Sequence, residues 1–481
     1  MKSSLFVRGV LKGALGLGFV AALGLILTPG AFGLTLEEAA RPYRGKTIVL
    51  GVAFVPVMNG LLELVEKEFV ARTGINVKIE KYSLGQWNEK GDADLFSGTG
   101  HFDVLQMHHN RAQDWAVNGH VRWINDFMED RELRDPDLDP EDFLQPLWDD
   151  YCLFEDGKRA CFPTFNFQEI YWYRNDLFTH PDEQAVFKGR YGYDLQPAKT
   201  FQQMRDVAEF FTRKKGEELA GRVLEEDFYG IGLSGEQEQS TAWGWYTVLQ
   251  GWGGSLFDKE GHPTFDHPRN IEAMEWWFDM QRFAPPQVTE TGRMGLFIWM
   301  TKGNVAQAIH QIDFSFAIDD PRISKTVGLY GYSLLPVREE GMEPGGWGEA
   351  GPLIISRHSK NPEAAYLLIQ WMSSKEVQEK WIEGPGSGLP IRKSTLNLPF
   401  VLRHSAFVPA IHSARRGWFQ PGFSDWATVE RVFIVTLREA AIRETQVGEA
   451  LGRVQQRALE IHPEGSINPG QPTRNQLWTH K

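Results

Sequence analysis

KTIVLGVAFVPVMNGLLELVEKEFVARTGINVKIEKY, residues 46–82, holds the pattern that decides the fold. Lys46–Phe54 is an aliphatic, β-branched run of buried-strand length. Leu61–Arg72 places apolar residues at helical spacing, and Thr73-Gly74 stops the helix. Ile75–Tyr82 then alternates as a second strand. Strand, helix and strand in this order make the crossover unit of a parallel sheet. Phe102–Met107 repeats the strand step, with a helix beginning over Arg111–Asn118. The fold class is therefore α/β. In open α/β sheets ligands sit outside the carboxyl ends of the strands. That makes Asn59 and the run Gln106, Met107, His108 and Asn110 the first candidate binding residues.

A length of 481 residues is enough for two or more lobes. The 17 tryptophans are core material for the most part, and where they gather in a cleft they offer flat faces to a ligand. The net charge of −13 argues against nucleic acid or an anionic membrane surface as the main partner. Lys2, Arg8 and Lys12 precede the apolar run Ala14–Leu27, Pro29 follows, and Ala31 and Gly33 are small. This is the pattern of a signal peptide over residues 1–33, cut before Leu34. An uncleaved anchor is the alternative. No cysteine lies near the cut, so the exported chain is expected in the periplasm and not as a lipoprotein.

The two cysteines of the chain flank a turn. If Asp156-Gly157 forms a two-residue type I′ turn, Cys152 faces Cys161 in a non-hydrogen-bonded pair. Cα atoms in such pairs are about 4.5 Å apart, within the range of a disulfide. A cross-strand disulfide is therefore expected, in keeping with an oxidising compartment.

Further along, Ile170–Tyr173 reads as a strand, and Lys199-Thr200 opens a helix through Thr212 with Thr200 as its N-cap. A Trp-rich helix spans Thr241–Gln250, and Phe297–Ile312 passes from helix to strand through Gly303. Val327–Pro336 is a strand, Gly341–Gly351 a glycine-rich loop, and Pro362–Met372 and Ser374–Trp381 are helices. No internal repeat or low-complexity linker is present.

Several of these segments, in this order, match one family. They are FDVLQM, DGK and FP before IYWYRNDLF, KTFQQMRDVAEFFT, YGIGL, GGSLFDKEGHPTFDHP, FIWMTKGNVAQAI, GGWGEAGPLIISRHSKNPEAAYLLIQWMSSKEVQEKW and GSGLPIRKS. The chain resembles the family 1 extracellular solute-binding proteins of ABC importers, the group that contains the maltose-type binding proteins. The resemblance implies a two-lobed periplasmic-binding-protein fold with the ligand in a cleft between the lobes. Lobe 1 would comprise residues 34–163 and 338–388, and lobe 2 residues 169–333 and 392–481. Hinge crossovers would lie at 164–168, 334–337 and 389–391. The implied function is capture of a sugar or polyol by lobe closure and delivery to an ABC permease, by a monomer, without a cofactor or a catalytic step.

The resemblance also assigns contacts. Gln106, Met107, His108 and Asn110 fall in a ligand loop, and Asn166 and Phe167 at the first hinge. Trp243 and Trp245 precede GWGG; two apart on a helix, they cannot share a face, so one is expected in the core. Asp313 and Phe314 follow GNVAQAI, where relatives commonly place a tryptophan, so their stacking geometry does not transfer directly. Gly346, Trp347 and Glu349 sit in the glycine-rich loop, Arg392 in GLPIRKS, and Trp426 near the C-terminal contact region. Three alternatives remain beside this reading. An exported carbohydrate-active enzyme needs two carboxyls at a defined separation, and no G-x-S-x-G, H-E-x-x-H or P-loop motif is present. Arg392 and His108 would suit a phosphorylated polyol. His101, His108, His109 and His120 would have to converge to hold a metal.

Overall fold

The computed structural model describes residues 33–463, apart from 56, 107, 151, 155, 156, 259, 260, 385–387, 417–425 and 462. In chain order the strands are β1 (Thr47–Ala53), β2 (Asn76–Tyr82), β3 (Val104–Gln106), β4 (Cys161–Phe162), β5 (Phe167–Arg174), β6 (Glu218–Leu219), β7 (Arg222–Val223), β8 (Gln307–Gln311), β9 (Tyr330–Ser333), β10 (Gly348–Glu349) and β11 (Leu353–Ile355). The first sheet runs β2-β1-β3-β11-β4, with β1 parallel to both β2 and β3 and β11 antiparallel to its neighbours. In the second sheet β5 is central, paired antiparallel with β8, β9 and β10. β6 and β7 make a separate ribbon.

The opening stretch folds as its pattern requires. Ile48, Leu50 and Val52 of β1, which alternate along the strand and so share one face of the sheet, are fully buried. The following helix runs Met58–Leu64, makes one π-helical turn at Val65–Phe69, and ends at Val70–Thr73. Leu61, Leu62, Val65 and Phe69 thereby stay in the first core. Thr200 caps the helix Phe201–Phe211 in a full capping box: its hydroxyl accepts from Gln203 N at 3.2 Å, and Gln203 Oε1 accepts from Thr200 N at 3.3 Å.

Three described segments meet between the two sheets. Pro163–Asn166 leads from β4 into β5, β10 pairs Gly348 with Gln168 and Glu349 with Phe167, and Leu389 bridges to Asn166. The chain returns to the first sheet through β10, not at Leu334–Val337. That segment stays with the second lobe: Val337 N donates to Lys199 O, Phe201 N to Val337 O, and Arg338 N to Gly251 O. Pro336 ends the strand pattern, but the backbone beyond it is held by the start of the capped helix. After Arg392 the helices Phe407–Arg416, Trp426–Ala441 and Val447–Ile461 pack into the second lobe's cores.

The cysteine hairpin departs from expectation. Leu153 faces Arg159, Phe154 N donates to Lys158 O, and Ala160 N donates to Cys152 O, a pairing shifted by one residue. Gly157, at φ +74°, takes the left-handed position that closes a three-residue connection, a conformation a two-residue turn would also accept. Cys152 therefore faces Ala160. The Cys152 and Cys161 sulfurs lie 2.8 Å apart, longer than a disulfide's roughly 2.05 Å, so the expected staple is not shown. The signal segment, residues 1–32, lies outside the described residues. Among the described residues no helix is long and apolar enough to cross a membrane.

Candidate functional site

Side chains from both sheets and from the crossover strand meet between the lobes. β3 ends at Gln106, and His108 caps the helix His109–Val117 just beyond it. Its Nδ1 lies 2.7 and 2.8 Å from the two carboxylate oxygens of Glu349 in β10. Both residues are buried. With Nδ1 on the carboxylate, Nε2 is the ring nitrogen left for another partner. That atom is buried without a hydrogen-bond partner among the described residues.

Aromatic rings close around this pair. Trp87, from the helix Leu84–Ser97, meets His108 edge-on at 5.1 Å, and Trp243 meets it at 5.6 Å. Trp243 is stacked on Trp347 at 4.2 Å with 6° between the planes. The Nε1 groups of Trp87, Trp243 and Trp347 are all buried without a hydrogen-bond partner among the described residues. Trp347 is fixed by its backbone N–H, which donates to Thr247 Oγ1 at 2.9 Å, one helical turn from Trp243. Trp245 points the other way, into the second core against Phe278 and Phe433.

A charged group backs the rings. Arg293, the first residue of the helix Arg293–Lys302, lies over Trp243 at 5.7 Å and Phe314 at 5.0 Å, and donates to Asp313 Oδ2 at 3.4 Å. Asp313 and Phe314 lie in the turn after β8, and Asp313 Oδ1 is buried without a hydrogen-bond partner among the described residues. Burial raises the Asp313 carboxyl, with Arg293 opposing. Phe314 is stacked on His310 at 4.5 Å, and burial holds His310 well below the ordinary histidine range. Behind them Glu169 of β5 accepts from Gln311 Nε2 at 3.4 Å; burial pushes its carboxyl up to about 7.

Nearer the surface, Glu430 accepts from Tyr246 Oη at 3.0 Å and Gln239 Nε2 at 2.8 Å, and burial lifts it to about 7. It borders a cavity of about 220 Å³ between the lobes, with Asn88 and Arg111 on one side and Gln239 and Arg431 on the other. Arg111 is ion-paired with Asp92, which also accepts from Trp115 Nε1 at 2.9 Å. Asn88 Oδ1 is buried without a hydrogen-bond partner among the described residues.

Of the residues expected from sequence, His108, Trp243, Asp313, Phe314, Trp347 and Glu349 come together. Asn166, which accepts from Gln168 Nε2 at 2.8 Å, and Phe167, packed on Phe165, lie in the crossover beside them. Gln106 is buried under β1, its Oε1 accepting from Ala53 N. Gly346 is packed against Leu335, and Trp426 lies in the second core with Tyr246 and Phe265. Asn59 is on the surface, accepting from Lys81. Arg392 is turned away from the cluster, its donors spent on Ser373 O, Asp139 O, Leu138 O and Asp142. Met107 and the side chain of Asn110 lie outside the described residues. Among the described residues the histidines do not converge: His101 lies on Glu80, His108 on Glu349, and His120 against Phe96, while the side chain of His109 lies outside them. Trp87, Asn88, Glu169, Arg293 and Glu430 were missed. Trp87 in a helix with weak amphipathic patterning, and acids or arginines spread over the chain, carry no local signal.

The two lifted carboxyls predict a pH effect on stability. Glu169 keeps its proton in the fold up to about pH 7, whereas an unfolded glutamate loses it near 4.5. Between these values the native state binds more protons, so stability falls as pH rises through the window and levels off above it. The loss for Glu169 is about 3 kcal/mol. Urea titrations at pH 5 and pH 8 are expected to show this fall, and Glu169→Gln to reduce it; an identical pH profile for the variant would refute the assignment.

Comparison with known proteins agrees with this architecture. The profile of the family described as bacterial extracellular solute-binding protein matches residues 54–379. The erythritol/L-threitol-binding protein of Mycolicibacterium smegmatis is 23% identical over 360 residues, covering 69% of this chain and 68% of that protein. An ABC transporter solute-binding protein of Agrobacterium radiobacter K84, solved in complex with ribitol, superposes with a TM-score of 0.73 at 23% identity, over 87% of this chain and 99% of the other. One from Agrobacterium vitis S4, with bound D-mannitol, gives 0.70 at 20% identity, over 88% and 99%.

Proposed function

Because the chain belongs to the bacterial extracellular solute-binding protein family, we propose that it is an exported receptor that captures a sugar or polyol between its lobes and delivers it to an ABC import permease. The observation that carries this reading is the set of buried, unpartnered polar atoms between the lobes: His108 Nε2, Asp313 Oδ1, Asn88 Oδ1 and three indole Nε1 groups. A buried polar group without a partner costs about 1–3 kcal/mol, and a solute rich in hydroxyls, each both donor and acceptor, relieves several at once. The ribitol, mannitol and erythritol named for the relatives are solutes of this kind.

The receptor works as a monomer and makes or breaks no covalent bond. The first lobe supplies Trp87, Asn88 and His108, the second Trp243, Arg293 and Asp313. A solute touching both sets selects the closed state, because only there are both within reach. A solute at about a hundred times its Kd stabilises the protein by about 2.7 kcal/mol. A thermal-shift screen over sugars and polyols is expected to find it by a rise in melting temperature. Solution scattering with the hit should show a smaller radius of gyration; an unchanged radius at saturation refutes capture by closure.

A further inference from the structure

A second cavity lies on the first lobe, apart from the cleft. It holds about 630 Å³, within the roughly 300–1,000 Å³ of small-molecule sites. Its walls come from residues 34–39 and 133–137, the end of the helix Pro362–Met372 and the start of the helix Lys375–Glu383. Arg72 lines it near the amino end of β2, whereas His108 lies past the carboxyl end of β3.

The floor is apolar: Leu133, Leu367 and Trp371 are buried there. Around it stand five carboxylates, Glu37, Asp135, Asp137, Glu376 and Glu379, against two cations, Arg72 and Lys375. Arg72 holds Glu37 at 2.6 Å and Glu376 at 3.3 Å, and Lys375 lies 3.8 Å from Glu379. That leaves Asp135 and Asp137 without a paired cation among the described residues. Asp135 is half-buried, its Oδ1 accepts from Asp137 N at 2.9 Å, and burial raises its carboxyl. A carboxylate withdrawn from water is stabilised by a cation set beside it. A second, independent sign of a missing partner is Trp371, which is 4% exposed. Its Nε1 is buried without a hydrogen-bond partner among the described residues, and an indole N–H is satisfied by an acceptor such as oxygen.

We propose that this cavity is a second ligand site, for a small organic ammonium ion with an apolar body and an oxygen acceptor. The ammonium donates charge-assisted hydrogen bonds to Asp135 and Asp137. The body covers Leu133 and Leu367, and the oxygen accepts from Trp371 Nε1. An inorganic cation would leave the apolar floor and the indole N–H uncovered, and the excess of carboxylates repels an anion. The inference does not depend on the solute held in the cleft.

Isothermal titration of the purified protein with tyramine, which carries an ammonium, an aromatic body and a phenolic oxygen, tests it. Tyramine is expected to bind, and phenethylamine, which lacks the oxygen, to bind about tenfold more weakly. A tyramine titration that stays flat to about 10 mM overturns the site. So does equal binding by 4-hydroxyphenylpropionate, in which a carboxylate replaces the ammonium. The double variant Asp135→Asn/Asp137→Asn keeps the side-chain oxygens that accept from the backbone, and it should lower tyramine affinity about tenfold or more. Unchanged affinity in that variant, with an unchanged melting temperature, overturns the placement. Trp371→Phe should bring tyramine down to the affinity of phenethylamine and leave phenethylamine as it was; an equal loss for both amines overturns the indole contact. Asn88→Ala, in the cleft, should leave tyramine binding as it was. A loss there would put tyramine in the cleft and overturn the second site, with solute capture by the cleft still standing.

Discussion

Arg392→Met is expected to lower the unfolding free energy by about 3–5 kcal/mol, because it leaves buried partners without their cation, while solute affinity stays at its original value. The side chain is fully buried. Its Nε donates to Ser373 O at 2.7 Å, Nη2 to Leu138 O at 3.1 Å, and Nη1 to Asp139 O and Asp142 Oδ2, each at 3.3 Å. The guanidinium also lies 4.0 Å from the Phe143 ring centroid. Methionine keeps an apolar stem against that ring but abandons three carbonyls and a carboxylate. Denaturant unfolding and calorimetry on the same preparation separate stability from binding. A variant of full stability with lost affinity would return Arg392 to the cleft, where the family resemblance puts it.

Trp347→Ala should cost about 3–5 kcal/mol as well, the range for a large buried aromatic truncated to alanine, and here capture of the solute goes with it. The ring fills the space against Trp243, and Glu349, two residues further along the chain in β10, holds His108. Loss of the stack therefore loosens groups from the first lobe and the second together. Trp347→Phe keeps an aromatic plane and removes only the buried N–H; it should fold normally and bind about tenfold more weakly. Melting curves and titrations of the pair provide the check. An alanine variant that melts like the parent would mean that the stack contributes nothing.

The fold was legible where local chemistry decides it. The unit at 46–82, the Thr200 cap and the helix after Asn361-Pro362 depend on residues within a turn or two of one another, and all form. The cysteine hairpin failed by one residue because Gly157 suits a two-residue and a three-residue connection alike, and only packing chooses. The candidate site was half legible. His108 follows the end of β3, and Trp347 and Glu349 lie at the short strand β10, where topology brings side chains to a cleft. Arg392 misled because its position matches a contact of relatives while its four partners, from residues 138–142 and 373, come from distant sequence. Trp87 and Arg293 are brought together by tertiary structure alone, and no spacing announces them.

One feature of the crossover has a mechanical side. The pairing of β10 with β5 ties the lobes through a ribbon two residues long. At Gly348 an added Cβ would come within 2.0 Å of Gln168 Nε2, so any residue larger than glycine would have to displace that side chain. Two-stranded ribbons twist more readily than wider sheets, whereas sliding would break the ladder bonds. The softest relative motion is thus torsion about an axis near residues 167–168 and 348–349. Such a joint acts as a short fulcrum: a few degrees of rotation there become a large displacement at the outer rims, while His108 and Glu349, close to the axis, barely move.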